Sequence, residues 1–421
     1  MGWLLYRGLG TLLLIVSAPY FLIRRARHYL TTLGGRLGRY ELVEPTERLW
    51  IHAVSVGEVG VAGTLIRELP DSIPIVVTTV TATGREVARR TLGDRVDVAV
   101  LPFDLAGPLG RFFARFRPRA LVLVEGDYWP LMLREARRRG IPVAVVNGRV
   151  SDTGFRRLKK IRRWLHLLYG PISSFGVQTD QDRERLVVLG VERGRIEVTG
   201  NLKFDSHEPP RLPDLEYALR QLGGDRPILV AGSTMPGEED MVLDALERVG
   251  APSALLVVAP RHPERADEVA ALALRRGFRV VRRSELDVPP PREELVNVCL
   301  LDTLGELPSL YRVALGVFIG GTLVPTGGHN PLEPARFSVP VVAGPSMYNF
   351  DEIGTLLGRH DAWVRATDSG AVATVWRSWI DDPSSASAIG ARAKDVLDLN
   401  RGATAKSLVL IQPLVDTLHG P

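Results

Sequence analysis

A single cysteine, Cys299, stands in 421 residues, so neither an intrachain disulfide framework nor a cysteine-built zinc site can hold this chain together. A reducing compartment is the natural setting. Low-complexity tracts and repeats of solenoid period are also missing. Hydrophobic residues at 45% and charged residues at 24% exclude disorder, collagen and coiled coil. The length is enough for two or three cores, since a domain usually takes about 100–200 residues. A net charge of +5 favours a polyanionic partner, which by charge alone could be nucleic acid, acidic lipid or a phosphorylated substrate.

There is one long apolar run, Gly8 to Ile23, with Arg24-Arg25-Ala26-Arg27-His28 directly behind it. No small-residue cleavage site separates the two, so residues 1–30 read as a retained membrane-anchor helix rather than a cleaved signal peptide. The basic residues follow the run, which leaves the rest of the chain in the cytoplasm.

Beyond residue 30, short β-branched runs alternate with longer amphipathic stretches. Strands are predicted at Leu49–Ala53, Ile75–Val80, Val96–Leu101, Ala120–Val124, Val143–Val146 and Phe175–Gln178, with helices between them, one of them spanning Phe155–Leu168. Three prolines within Pro209–Pro213 stop the pattern, so 206–213 is a linker. The alternation resumes with strands at Ile228–Ala231, Ala254–Ala259, Phe278–Val281, Val296–Leu301, Val317–Ile319, Val339–Ala343 and Ala362–Val364. The expected fold class is α/β: two doubly wound Rossmann-like domains, 31–205 and 214–400, facing a cleft, behind the anchor.

Ligands of open α/β sheets bind outside the carboxyl ends of the strands, so motifs placed there carry most weight. After the first strand comes Ser55-Val56-Gly57-Glu58, where Glu58 is either a helix-dipole partner or a general base. Glu125-Gly126-Asp127-Tyr128-Trp129-Pro130 follows the fourth, with Asp127 a candidate helix cap and Glu125 turned to the cleft. Arg149 and Lys203 also follow strand ends, and each alone reads as a surface charge or a ligand.

In the second half, Gly232-Ser233-Thr234 opens a helix that could hold an anion or carry a plain cap. Pro260-Arg261-His262-Pro263 fixes an arginine suited to phosphate or carboxylate, with no chemistry assigned to His262. The densest segment is Gly320 to Pro334, whose four glycines imply close backbone approach to a ligand. There Asn330 caps a helix beginning at Pro331, and Glu333 either completes a capping box or accepts the hydroxyls of a ribose.

With these residues assembled, the sequence resembles the 3-deoxy-D-manno-octulosonic acid (Kdo) transferases along nearly its whole length. The most specific pieces are Ser55–Glu58, Gly200-Asn201-Leu202-Lys203-Phe204-Asp205, Pro260–Arg265, Asp302-Thr303-Leu304-Gly305-Glu306-Leu307 and Gly327–Pro334. The resemblance implies a glycosyltransferase-B fold and inverting transfer of Kdo from CMP-Kdo to a lipid A precursor in lipopolysaccharide synthesis. It implies no metal and no nucleic acid, and work at the cytoplasmic face of the inner membrane.

By the same resemblance Glu58 is the catalytic base, supported by Glu125 and Lys203. Pro260, Arg261, Gly305, Glu306, Leu307, Asn330, Pro331, Leu332 and Glu333 bind CMP, and residues 401–421 form a helix packing on the first domain. The family's usual Glu-Thr-Glu-Leu-Trp-Pro-Asn stands here as Glu125-Gly126-Asp127-Tyr128-Trp129-Pro130-Leu131. Changes of this kind lie mostly in the first domain and bear on the acceptor more than on the donor. Two segments interleave basic and apolar residues, Arg111–Arg117 and Arg156–Leu165, and are candidates for contact with a phosphorylated lipid. The rival readings are another sugar-nucleotide enzyme of the same fold and a membrane-tethered two-lobed binding protein.

Overall fold

The computed structural model describes residues 26–41, 44, 46–286 and 295–419. The chain divides into two compact units: one runs to His207 and takes in the chain from Asn400 onward, the other is Glu208–Leu399.

The first unit is built on a seven-stranded sheet of order β3-β2-β1-β4-β5-β6-β7. Its strands are β1 Arg48–His52, β2 Ile75–Thr79, β3 Asp97–Val100, β4 Pro118–Val124, β5 Val143–Gly148, β6 Ser174–Val177 and β7 Ile196–Val198. All its strand pairs are parallel. Continuous apolar runs form these strands because helices cover both faces. Alternate residues serve opposite cores: Trp50 packs with Phe112, Phe113 and Phe116 on one face, while Leu49 and Ile51 pack on the other. That second face also takes Ala403, Ile411, Leu414 and Val415 from the helix Ala403–Val415.

The second unit repeats the plan, in the order β10-β11-β9-β8-β12-β13-β14. Its strands are β8 Ile228–Thr234, β9 Leu255–Pro260, β10 Val280–Arg282, β11 Val298–Leu300, β12 Gly316–Ile319, β13 Val341–Ala343 and β14 Val364–Arg365. Here too every pair is parallel. Trp376 and Trp379 close one side of its core and are almost wholly buried. In each unit the chain reverses its direction of travel across the sheet once, beside β1 and β4 in the first and β8 and β12 in the second. These are the switch points where such sheets leave a crevice beyond their carboxyl edge.

The described residues hold no helix that answers to the expected membrane anchor. Among the described residues no helix is long and apolar enough to cross a membrane. The first described helix, Ala26–Arg36, has 11 residues. At 1.5 Å each that is about 16 Å against ~30 Å of hydrocarbon. The apolar run itself lies outside the described residues.

Two further differences are local. The single helix expected over 155–168 is broken into Asp152–Lys160, a 3-10 turn at Arg162–Trp164 and the short helix His166–Tyr169. Like charges crowd the first piece, which buries none of its residues, whereas Leu165 is drawn into the core. Strand β7 has three residues, too few to show a period.

Candidate active site

The switch point of the first unit gathers its acids. Ser55 precedes the helix Val56–Arg67 in extended conformation, yet its side chain caps nothing on the backbone. Instead the Ser55 hydroxyl donates to Glu58 Oε1 at 3.2 Å, and the Val54 N–H donates to Oε2 at 2.8 Å. Both oxygens are thus held from within the turn. Burial pushes the Glu58 carboxyl up to about 7, and the charges of Glu125 and Asp127 push the same way against the two hydrogen bonds. Such a group is partly ionised at neutral pH and far more basic than an ordinary carboxylate.

Glu125, one residue past β4, adopts φ 64°, a left-handed conformation that costs a non-glycine residue roughly 1–3 kcal/mol. The side chain reaches across the sheet edge. There its Oε1 accepts from Lys203 Nζ at 3.1 Å and from Asn147 Nδ2 at 3.4 Å. Asn147, at the end of β5, is fully buried and also left-handed, with φ 55°. Its Oδ1 accepts from the Leu202 N–H at 2.9 Å, its carbonyl accepts from Gln178 Nε2 at 3.0 Å, and Gln178 Oε1 accepts from Asn201 Nδ2 at 2.9 Å. Polar side chains at the ends of β5 and β6 therefore fix the backbone that carries Lys203. Lys203 and Glu125 keep 20% and 27% of their side chains exposed, so a ligand can reach the pair. Glu58, Glu125 and Lys203 are brought to one edge; Asn147 and Gln178 are the supporting residues that sequence reasoning did not single out.

Asp127 is not the helix cap it was expected to be. The first amides of the helix Pro130–Arg138, those of Leu131 and Met132, donate to Asp104 at 2.9 and 2.8 Å. Asp127 Oδ2 instead accepts from Trp129 Nε1 at 2.6 Å and lies 3.1 Å from His52 Nε2. The true cap comes from the loop after β3, remote in sequence and so invisible to local pattern.

Asp205 ends the segment that carries Lys203, and both its oxygens cap the C-terminal helix: Gly402 N–H at 2.8 Å and Thr404 N–H at 2.6 Å. Asp205→Ala is expected to cost about 1–2 kcal/mol. A lowered urea midpoint, with Asp205→Asn intermediate, is the check; an unchanged midpoint would mean the cap carries no stability.

In the second unit the glycine-rich turn after β12 is explained by packing of the protein on itself. A Cβ on Gly320 would stand 2.2 Å from the Ser233 carbonyl oxygen, and one on Gly328 2.5 Å from Met347 Sδ. These glycines admit neighbouring protein atoms, and the ligand approach expected of them is not needed to account for them. Asn330 Oδ1 accepts from the Leu332 N–H at 3.1 Å, capping the short helix Leu332–Ala335. Glu333 receives Asn330 Nδ2 at 3.5 Å, with no reciprocal bond to backbone, so the capping box is incomplete. Burial pushes Glu333 up to about 7, opposed by Asn330, Arg261 and Arg336. It pushes His329 down to about 4, with the positive charge of Arg261 acting in the same sense.

Arg261, just past Pro260 at the end of β9, is exposed and acts on both groups. Pro331 and Leu332 are buried beside them. Tyr311, unremarked in the sequence, belongs here: its hydroxyl is pushed up by burial and by the Glu333 charge. Glu306 is already engaged, accepting from Arg283 Nη2 at 3.0 Å and from the Thr303 hydroxyl. Gly305 takes φ 91°, and Leu307 opens the helix Leu307–Leu310 that leads to Tyr311. Arg265 is held by the buried Glu239 at 2.7 Å and by Glu268, so Arg261 is the arginine of its motif left at the surface.

Two parallel doubly wound units, each with titratable groups at its switch point, define the two-domain α/β class of glycosyltransferase-B type. The solved structure of UDP-GlcNAc 2-epimerase from Neisseria meningitidis bound to UDP-GlcNAc shares this fold, with a TM-score of 0.55 at 12% identity, covering 89% of this chain and 100% of that one. Residues 31–206 match the family described as 3-Deoxy-D-manno-octulosonic-acid transferase (kdotransferase). The 3-deoxy-D-manno-octulosonic acid transferase of Haemophilus influenzae is 33% identical over 98% of this chain and 99% of its own length. That of Bordetella pertussis is 32% identical over 96% and 98%. The chain belongs to the 3-deoxy-D-manno-octulosonic acid transferase family and is a glycosyltransferase.

Proposed function

We propose that this chain transfers Kdo from CMP-Kdo to a hydroxyl of a lipid A precursor, with Glu58 as the general base. The observation that carries the reading is a carboxylate made basic by burial at the β1–β4 switch point, with Lys203 and Glu125 beside it. Glu58 takes the proton of the acceptor hydroxyl as its oxygen bonds to the anomeric carbon of Kdo. The bond from that carbon to the CMP phosphate oxygen breaks, its electron pair leaves with CMP, and configuration inverts. Lys203, held by Glu125, supplies positive charge near the reacting centre. In the second unit Arg261 faces the phosphate, Glu333 and Asn330 the ribose, and Pro260, Gly305, Glu306, Leu307, Pro331 and Leu332 shape the CMP site.

The acceptor places the enzyme at the inner membrane, both units on its cytoplasmic side. Of the two basic segments, Arg111–Arg117 does not fit lipid contact. Its aromatics are core, and Arg111 and Arg115 donate to the carbonyls of Leu37 and Glu41. The other does fit. Arg156, Arg157, Lys159, Lys160, Arg162 and Arg163 are all exposed, with Ile161 and Trp164 about half exposed among them. Such a surface suits anionic headgroups with apolar insertion. Reversing three of these charges is expected to weaken binding to anionic liposomes at least tenfold, since each basic residue contributes ~1 kcal/mol. Unchanged sedimentation with liposomes would remove the segment from the membrane.

The function is tested in detergent with CMP-Kdo generated in situ and tetraacylated lipid A precursor, followed by mass spectrometry of the lipid. Addition of mass in Kdo units is expected. CMP binding without transfer would place the error in the acceptor, and no CMP binding would remove the donor.

A further inference from the structure

The amino edge of the first sheet, opposite the edge that carries Glu58 and Lys203, holds a cleft of about 420 Å³ that the reaction above does not use. Two helix ends build it. The helix Ala106–Phe116 stops at Arg117, left-handed at φ 45°, and the helix Pro130–Arg138 stops at Arg139, followed by Gly140 at φ 68°. Pro118 and Pro142 then lead into β4 and β5, so two sharp turns at one edge set both arginines on one cleft. Arg119 joins them from the start of β4, and all three are exposed.

An arginine at a helix C-terminus can serve the helix dipole alone, but three features here go further. The first is seating. The Arg139 guanidinium lies over the ring of Phe113, 4.6 Å from its centroid, and a guanidinium stacked on a ring keeps its in-plane N–H groups for an acceptor. The second is charge, with three guanidinium groups against one lining carboxylate, Glu47. Arg119 Nε meets Glu47 Oε2 at 3.1 Å, yet these side chains are 51% and 53% exposed, and so exposed a pair is easily exchanged for another anion. The nearby acids are engaged elsewhere: Asp416 accepts from Gln412 Nε2 at 2.7 Å, and Glu135 from Arg138 at 3.0 Å. The third is the lack of other donors. Proline has no N–H, the Gly140 and Ile141 amides close the helix end, and Thr417 gives its hydroxyl hydrogen to the Leu414 carbonyl at 2.6 Å. The arginines are left to recognise a ligand.

We propose that this cleft binds a soluble phosphorylated small molecule of about mononucleotide size, its phosphate on Arg117, Arg119 and Arg139 and its organic part against Pro118, Ile141 and Pro142. The volume lies at the low end for ligand clefts and is more than a bare phosphate fills. A soluble ligand fits better than a lipid headgroup. The basic segment read above as touching the membrane follows β5 at the carboxyl edge, so the sheet stands between that segment and the cleft.

The test reads the arginines directly in the full-length protein. Phenylglyoxal modification of individual arginines is followed by peptide mass spectrometry without ligand, with AMP and with inorganic phosphate, while calorimetry gives the affinities. AMP is expected to slow modification of Arg117, Arg119 and Arg139 together by roughly tenfold, with Arg156 and Arg157 reacting as before. Arg261 reports separately on the proposed CMP site, so binding there is not mistaken for binding here. Arg139→Ala should weaken AMP about tenfold or more, and Arg139→Lys less, since lysine keeps the charge without the fork. Glu47→Gln should tighten binding roughly threefold by removing the competing carboxylate. Protection spread evenly over the exposed arginines, or an AMP affinity unchanged in both Arg139→Ala and Arg119→Ala, overturns the proposal. Inorganic phosphate protecting as well as AMP would reduce the cleft to a bare anion site and overturn the ligand class. Vesicles of phosphatidylglycerol and phosphatidylcholine that protect these three arginines where AMP does not would make the occupant a lipid headgroup and overturn the soluble one. Kdo transfer has no part in these readouts, so failure of the proposed function leaves the cleft standing.

Discussion

Glu58→Gln is expected to lower transfer by roughly 10²–10⁴ while CMP binding to the second unit is unaffected. The amide keeps the shape: its oxygen can still accept from the Val54 N–H, while its NH2 stands at the Ser55 hydroxyl, which can turn to accept from it. What it loses is the ability to take a proton. The readout is single-turnover Kdo transfer by mass spectrometry beside CMP affinity by calorimetry. A variant within a few fold of wild type would move the base elsewhere, and a variant that also lost CMP would show damage beyond chemistry.

The second large effect is structural. Glu238, fully buried at the start of the helix Glu238–Val249, accepts four backbone amides: Met235 at 2.9 Å and Gly321 at 2.5 Å on Oε2, Thr322 at 2.8 Å and Leu323 at 2.9 Å on Oε1. One carboxylate thus ties the end of β8 to the turn after β12, from which the chain runs on to His329 and Glu333. Glu238→Ala strands these donors without solvent. An unsatisfied buried group costs ~1–3 kcal/mol, so even partial relaxation leaves a loss of about 4 kcal/mol or more. Glu238→Gln should be milder but still unfavourable, because its NH2 meets N–H donors. Urea denaturation with tryptophan fluorescence reads both, and CMP affinity is expected to fall with stability. A midpoint for Glu238→Ala within error of wild type would show that the turn holds its shape unaided.

The alternation of apolar runs made both sheets legible, because buried parallel strands are short, continuous and β-branched. Strand order was not legible, since no local pattern says that β1 lies beside β4, and that adjacency is what brings Glu58 and Glu125 to one edge. The glycines after β12 misled for a physical reason: a missing side chain marks close approach but does not say of what, and here it is Ser233 and Met347. Asp127 misled likewise, because a carboxylate before a helix resembles a cap whether or not a remote Asp104 already fills the place. The polar links His52, Asn147 and Gln178 lie inside or at the ends of apolar strands. A buried polar residue at a strand's carboxyl end was the available signal, and its partners come from other strands. An apolar run near a chain's start also resembles an anchor by hydropathy alone, and the described fold contains no helix that could serve as one.

The most direct measurement is the pH dependence of kcat/KM for Kdo transfer by the wild type between pH 4.5 and 9. Below its midpoint Glu58 is protonated and cannot accept the acceptor's proton, so the rate must rise with pH and level once the carboxylate is formed. With Glu58 raised to about 7, the acid limb is expected there and should disappear from the residual activity of Glu58→Gln. An acid limb near an ordinary carboxylate value, about 4.3, or one that survives in Glu58→Gln, would contradict a buried, raised Glu58 as the base.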